Sequence, residues 1–143
     1  DLHLVHPMAA DWFDALLDCY YTNPSPDWGI PHQTTDDPSL DIDDTNGAGP
    51  ENINLSSPEN ADINDPYRVG VHYFRANPDA FSGGNGVNFP SDVTIRIYLG
   101  GALVFERTRR LQATNDLWEA AAITWFNGEG GVVEIDALSV LDP

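Results

Sequence analysis

The chain has 143 residues, which suits one domain with a buried core. Its formal net charge is −17, from 23 acidic side chains and six basic ones that are all arginine. This charge argues against nucleic acids and anionic membrane surfaces as partners, because both are bound by basic patches. The sequence contains no apolar run of the roughly 20 residues that cross a bilayer as a helix. It also opens without a basic-then-apolar signal sequence, so we expect a cytosolic protein or a mature or excised piece.

The first twenty residues predict a strand and then a segment of ambiguous type. Residues 2–5 are mostly apolar and precede Pro7, which favours an opening strand. Helical spacing follows, and Asp11 is a suitable N-cap for a helix confined to residues 8–18. The side chains with this spacing are Trp12, Phe13, Leu16, Leu17 and Tyr20.

Residues 23–66 predict a long acidic, proline-rich loop region with short extended pieces at most. Seven prolines interrupt it, and proline cannot donate to a sheet ladder. Fourteen of the 23 acids lie in the first 66 residues, where there is no arginine. Order is favoured over disorder because apolar side chains along the region would anchor it. These candidate anchors are Trp28, Ile30, Leu40, Ile42, Ile53 and Leu55.

The second half of the chain alternates apolar and polar side chains, which is typical of half-buried strands. The predicted strands cover residues 67–74, 93–99, 102–106 and 132–140. Gly100-Gly101 predicts a tight hairpin, and residues 82–86 predict a loop. Residues 117–125 form either a strand or part of a helix capped by Asn115 or Asp116. Arg68 and Arg96 lie opposite the Val/Ile faces, so we expect them to pair with acids of the first half.

The order of these elements resembles the YfaP-like domain of bacterial secreted and cell-surface proteins. The segments that carry the resemblance are residues 1–7, 19–21, 49–53, 67–73 and 93–98. The chain is also similar to bacterial pre-peptidase C-terminal domains, which have a G-x-E before a hydrophobic strand and a Y-x-V-x-V strand. Gly49-Pro50-Glu51 and Tyr67–Val71 correspond to these two motifs.

The resemblance implies an all-β, antiparallel, jelly-roll-like β-sandwich in which residues 1–143 form a single domain. It makes residues 117–125 a strand and implies a non-catalytic accessory role outside the bacterial cell, as part of a larger or processed protein. The family usually shows one more acidic residue two positions before the point where this chain begins. We therefore expect the first strand to be truncated.

Residues 36–52 predict a calcium site. Carboxylates packed this closely repel one another unless a cation or solvent screens them, and Ca²⁺ prefers six to eight oxygen ligands. The spacing is not that of an EF-hand, because a loop that starts at Asp41 puts Asn46 at the glycine position. A solvated acidic loop or adaptation to high salt also explains the charge. The candidate ligands are Asp41, Asp43, Asp44, Asn46 and Glu51, followed by Asp36, Asp37 and Asp1.

Catalysis has little support, because the sequence contains no G-x-S-x-G, H-E-x-x-H, P-loop or Rossmann glycine motif. The four histidines have no metal-ligand spacing and are interpreted as structural or surface residues. Cys19 is the only cysteine and is expected to be a small buried side chain.

Exposed aromatic rings on a β-sandwich can stack on sugars. Trp28, Tyr20 and Tyr21 are the candidates for this role, whereas Trp118 and Trp125 are assigned to the core. The sequence thus favours a calcium-stabilised, monomeric accessory or adhesion module with a glycan or protein partner at the cell surface. The alternative is a carbohydrate-binding module.

Overall fold

The computed structural model describes residues 1–44, 49–75 and 90–141. Within these ranges the chain forms β-strands and turns and no helix, so the prediction of an all-β fold is confirmed. It follows that no described helix is long and apolar enough to span a membrane. The strands are β1 (Leu2–Val5), β2 (Asp18–Cys19), β3 (Ser39–Ile42), β4 (Asn52–Asn54), β5 (Tyr67–His72), β6 (Ser91–Leu99), β7 (Ala102–Leu111), β8 (Asp116–Phe126) and β9 (Glu129–Val140).

The strands form one five-stranded sheet and two two-stranded ribbons. The sheet has the order β2-β1-β5-β8-β9, and all of its pairs are antiparallel. The ribbons are β3–β4 and β6–β7, also antiparallel. The jelly-roll connectivity implied by the resemblance, the predicted loop at 82–86 and the single-domain assignment stay predictions. Residues 82–86 lie outside the described residues.

Both ribbons pack on the same face of the sheet, as in a β-sandwich. Ile95, Ile97 and Phe105 of the β6–β7 ribbon pack on Val69 and Trp118 of the sheet. Leu40 and Ile53 of the β3–β4 ribbon pack on a second cluster around Tyr67. Leu4 and Ile123 contact both clusters, which makes the interior continuous.

Two hairpins have turn geometry that matches their sequences. Gly100 and Gly101 have φ values of 58° and 81°, as the predicted tight turn requires. Asn127 and Gly128 have φ values of 49° and 83°, which makes a second turn of the same kind between β8 and β9. An Asn-Gly pair is a strong hairpin signal that our sequence interpretation missed, and for this reason β9 begins at Glu129 rather than residue 132.

Residues 8–18 form turns rather than the helix that their spacing allowed. Phe13 has a φ of 61°, outside the helical region, and Asp14 Oδ1 accepts hydrogen bonds from the backbone N–H groups of Leu16 and Leu17. The spacing serves packing instead, because Trp12 covers Gly70 on the outer face of the sheet. A Cβ atom at Gly70 would come within 2.6 Å of the Trp12 ring.

Residues 116–126 form a strand, as the resemblance implied, since β8 lies between β5 and β9. Asp116 Oδ2 accepts hydrogen bonds from the backbone N–H groups of Gln112 and Ala113, so it closes a turn instead of capping a helix. Trp118 is buried, as predicted. Trp125 is partly buried and packs against the second cluster.

The prediction for Arg96 is wrong, because its partner is Glu106, directly across the β6–β7 ribbon. Arg68 lies over the Trp12 ring at 4.9 Å. The other ion pairs of arginine that the structure describes also use acids of the second half. They are Arg107–Glu134, Arg109–Asp136 and Arg110–Asp92. Strand register explains Arg96–Glu106 and Arg110–Asp92, because these residues lie directly opposite each other across the β6–β7 ribbon.

Candidate cation site

The acidic, proline-rich region is held on the sheet by the β3–β4 ribbon. Leu40, Ile53 and Leu55 pack against the second cluster, so these predicted anchors are confirmed. Ile30 and Ile42 are exposed, so the same prediction is wrong for them. The ribbon therefore fixes the two chain segments on either side of the candidate calcium loop.

Three carboxylates converge where this ribbon meets the start of β1. One oxygen from each of Asp1, Asp43 and Glu51 lies within 4.8 Å of the other two. Asp1 precedes β1, Asp43 follows β3, and Glu51 precedes β4. Strand pairing thus brings together three of the predicted ligands from positions far apart in the sequence.

Backbone hydrogen bonds fix two of these residues in place. The backbone nitrogen of Asp1 donates to the carbonyl oxygen of His72, at the end of β5, with an N···O distance of 2.8 Å. The backbone N–H of Leu2 donates to Glu51 Oε2 at 2.5 Å. The amino group of Asp1 is therefore tied to the sheet, and the carboxylate of Glu51 is tied to β1.

The electrostatics of this group favour a cation. Asp1 Oδ2 is buried and has no hydrogen-bond partner among the described residues. The arginine ion pairs of the described chain all involve other acids. Three carboxylates this close repel one another, and the α-ammonium group of Asp1, which is attracted to Glu51 and Asp43, offsets part of that repulsion. A bound cation would offset the rest and give Asp1 Oδ2 a partner.

Other candidate ligands near the loop have different structural tasks. Asp41 accepts hydrogen bonds from Ser39 Oγ and from the side-chain amides of Asn52 and Asn54, so it holds the ribbon together. Asp44 Oδ2 accepts a hydrogen bond from the backbone N–H of Gly49. Asn46 and the backbone carbonyls near Gly47 lie outside the described residues.

Asp36 and Asp37 are not part of this group either. Asp37 Oδ1 accepts a hydrogen bond from the backbone N–H of Trp28 at 2.7 Å, and Asp36 Oδ2 accepts one from Ile30 at 2.8 Å. Asp36 is itself buried. These two hydrogen bonds fold the 27–37 loop back on itself, while Asp36 Oδ1 is buried and has no hydrogen-bond partner among the described residues.

The prediction that Trp28 is an exposed sugar-stacking residue is wrong, because its side chain is 2% exposed. Its ring packs against His6 and Tyr67 in the second cluster. Tyr20 is partly buried and stacks on His3 with ring centroids 4.9 Å apart. Of the three predicted rings, Tyr21 is therefore the exposed one, and it contacts Phe74, which our sequence analysis assigned only to a strand.

Three of the four histidines have structural contacts, and His32 is a surface residue with a side chain that is 93% exposed. His3 and Asp18 are both fully buried, and the distance between His3 Nδ1 and Asp18 Oδ2 is 2.8 Å. His6 Nε2 lies 2.6 Å from Glu59 Oε2. His72 Nε2 lies 3.0 Å from the carbonyl oxygen of Leu141. These partners are 15 to 69 positions away in the sequence, so no local sequence motif predicts these contacts.

Cys19 is buried, as predicted, and burial raises the pKa of its thiol from 9.0 to about 12. The thiolate is the reactive form, so a raised pKa makes the native thiol inert at neutral pH. We expect a thiol reagent such as 5,5′-dithiobis(2-nitrobenzoic acid) to modify Cys19 only as fast as the protein unfolds. Full reaction in denaturant is the control, and rapid modification of the native protein would contradict this prediction.

Comparisons with known proteins identified no relative of this chain. No protein-family model matches the chain, and neither a curated protein nor a solved structure does. The assignment of function consequently depends on the geometry described above, and the likeness to YfaP-like and pre-peptidase C-terminal domains stays an expectation from sequence.

Proposed function

We propose that this chain is a non-enzymatic, calcium-stabilised β-sandwich module that serves as an accessory or adhesion domain of a bacterial secreted or cell-surface protein. The observation that supports this proposal is the convergence of Asp1, Asp43 and Glu51, whose oxygens lie within 4.8 Å of one another. The partly exposed position of these residues leaves room for water or further oxygens around a cation.

Calcium suits this group better than zinc or magnesium does. All three side chains offer oxygen, which is the ligand of hard cations, and no histidine or cysteine joins them among the described residues. Ca²⁺ tolerates the irregular geometry of ligands drawn from three separate segments, whereas Mg²⁺ demands a near-ideal octahedron. In an extracellular setting calcium is about millimolar, so a site with a millimolar dissociation constant would be about half filled and a tighter site would be nearly full.

A cation at this position would act as a structural cross-link. Its ligands come from the start of β1, the end of β3 and the start of β4, so it would join the β3–β4 ribbon to the sheet. A ligand that binds only the folded form stabilises it by about 2.7 kcal/mol at a free concentration one hundredfold above the dissociation constant. This gain would offset part of the entropy lost in ordering the proline-rich region, which is about 1–2 kcal/mol per residue.

The test is thermal unfolding of the wild-type protein in calcium, in magnesium and in chelator. We expect calcium to raise the melting temperature more than magnesium does, and Asp43→Asn to abolish that rise because it removes a charged ligand. The matched control is Asp65→Asn, which removes the same charge from another exposed aspartate. If calcium, magnesium and sodium of equal ionic strength shift the melting temperature alike, the acidic group is only a solvated surface.

A further inference from the structure

Two exposed aromatic rings lie close to the three carboxylates. Tyr21 is 39% exposed and Phe74 is 45% exposed, and their ring centroids are 5.6 Å apart at a tilt of 51°. Tyr20 supports this pair from behind, since its ring meets that of Tyr21 edge-on at 5.5 Å. Aromatic side chains that are left exposed as a contacting pair are typical of binding surfaces, whereas single exposed apolar residues are common everywhere.

The aromatic pair and the carboxylates belong to the same end of the sheet. Phe74 lies two residues beyond His72, and the carbonyl oxygen of His72 accepts the hydrogen bond from the Asp1 backbone. Tyr21 and Phe74 line the same cleft as Asp1, Asp43 and Glu51. Arg75 lines the same cleft, and its guanidinium lies over the Phe74 ring, 5.5 Å from the ring centre. A ligand in this cleft would therefore meet aromatic rings, one arginine and a group of oxygen acceptors.

We infer that this end of the cleft binds a neutral oligosaccharide. A pyranose ring presents an apolar C–H face, which suits the exposed rings of Tyr21 and Phe74, and hydroxyl groups at its edge, which donate hydrogen bonds to carboxylates. Vicinal hydroxyls would also complete the oxygen shell of a calcium ion held by three side chains. This part of the inference rests on the cation proposed above, whereas the stacking contact does not.

The charge of the molecule decides between ligand classes. A net charge of −17 and three converging carboxylates repel polyanions such as acidic polysaccharides, nucleic acids and phosphorylated compounds. A folded protein partner would need an apolar patch of several hundred square ångströms, and this pair consists of two side chains bordered by charges. A neutral, hydroxyl-rich ligand is the class that satisfies both the rings and the acceptors.

The experiment is a screen of the whole chain against an array of neutral oligosaccharides (β-glucans, mannans and galactans), with calcium and with chelator. The strongest array ligand is then titrated calorimetrically against wild type, Tyr21→Ala and Phe74→Ala. We expect each variant to weaken binding about tenfold, because one stacking contact is lost. The matched control is Phe126→Ala, which removes an exposed ring that does not line this cleft and should bind as wild type does.

The outcomes separate this inference from the proposed function. Binding that falls in both aromatic variants, with melting temperatures unchanged, supports the oligosaccharide site, and loss of this binding in chelator supports the contribution of the cation. If calcium raises the melting temperature but no array sugar binds, the inference is wrong and the calcium-stabilised module stands. Binding that Tyr21→Ala and Phe74→Ala leave unchanged also overturns it.

Discussion

Replacing Asp18 with alanine should lower the free energy of unfolding by about 3–5 kcal/mol, one of the two largest effects that we expect from single substitutions. Asp18 and His3 are both 0% exposed, and Asp18 Oδ2 accepts hydrogen bonds from His3 Nδ1 and from the backbone N–H of Phe13, each at 2.8 Å. Alanine would leave the buried His3 ring and the partly buried backbone N–H of Phe13 without this acceptor. Because proteins are stable by only about 5–15 kcal/mol, such a loss is a large share of the total.

The structure offers variants that separate charge from hydrogen bonding at this position. Asp18→Asn keeps one oxygen that can accept both hydrogen bonds, so it should cost less than alanine does. Asp92→Ala breaks the pair with Arg110, in which both side chains are more than half exposed, and should cost less than about 1 kcal/mol. Urea unfolding measures all three variants. Equal stability of Asp18→Ala and Asp92→Ala would contradict the assignment of a buried pair.

Replacing Trp28 with alanine should cost about 3–5 kcal/mol, because it removes a buried aromatic ring from the second cluster. The ring packs on His6 at 5.0 Å and on Tyr67 at 6.1 Å, and its Nε1–H donates to the carbonyl oxygen of Leu16 at 3.3 Å. It thus joins the 27–37 loop, the segment before β2 and the sheet. Loss of the ring leaves a cavity that these rigid neighbours cannot fill.

Urea unfolding of Trp28→Ala and Trp28→Phe measures this effect. Phenylalanine keeps most of the ring volume and loses the hydrogen bond to Leu16, so its cost should be clearly smaller. Trp28→Ala should leave oligosaccharide binding unchanged under conditions in which the variant is folded, since the side chain does not line the cleft of Tyr21 and Phe74. A fully stable Trp28→Ala variant with impaired binding would restore the role that the sequence first suggested.

Local patterns in the sequence account for much of the fold. The alternation in residues 67–74 and 93–99 predicts β5 and β6, because the side-chain period of a strand is two residues. Gly100-Gly101 predicts its hairpin, because the tight turn requires positive φ at both positions and glycine adopts positive φ without strain. These features depend on neighbours in the chain, so an interpretation of the sequence alone can find them.

The features that local patterns miss depend on distant partners. The spacing of Trp12, Phe13 and Leu16 is helical, but Gly70 and His3 of the sheet provide the surface that Trp12 and Phe13 cover, and Leu16 is exposed. Trp28 follows Pro26-Asp27 and precedes Gly29, which is typical of an exposed turn. Only the fold shows that its side chain is buried. Such tertiary contacts outweigh local preference.

The candidate cation site also combines a feature that the local sequence predicts with contacts that depend on the fold. The acidic run contains Asp43 and Glu51, which converge with Asp1 in the structure, and all three are among the predicted ligands. Asp36, Asp37 and Asp41 differ from these three because their carboxylates accept hydrogen bonds within their own loop or ribbon. The sequence does not reveal those hydrogen bonds. Phe74 was missed for a similar reason, because its contact with Tyr21 joins segments more than fifty residues apart.

Direct calcium titration by isothermal calorimetry, on wild type and on Asp43→Asn, tests the central claim most directly. The account predicts one calcium ion bound per chain through Asp1, Asp43 and Glu51, little response to magnesium, and loss of this binding in Asp43→Asn. Asp41→Asn should retain it, because Asp41 is engaged within the β3–β4 ribbon. Absence of calcium binding to the wild-type protein at millimolar concentration, or equal binding by Asp43→Asn, would contradict the account.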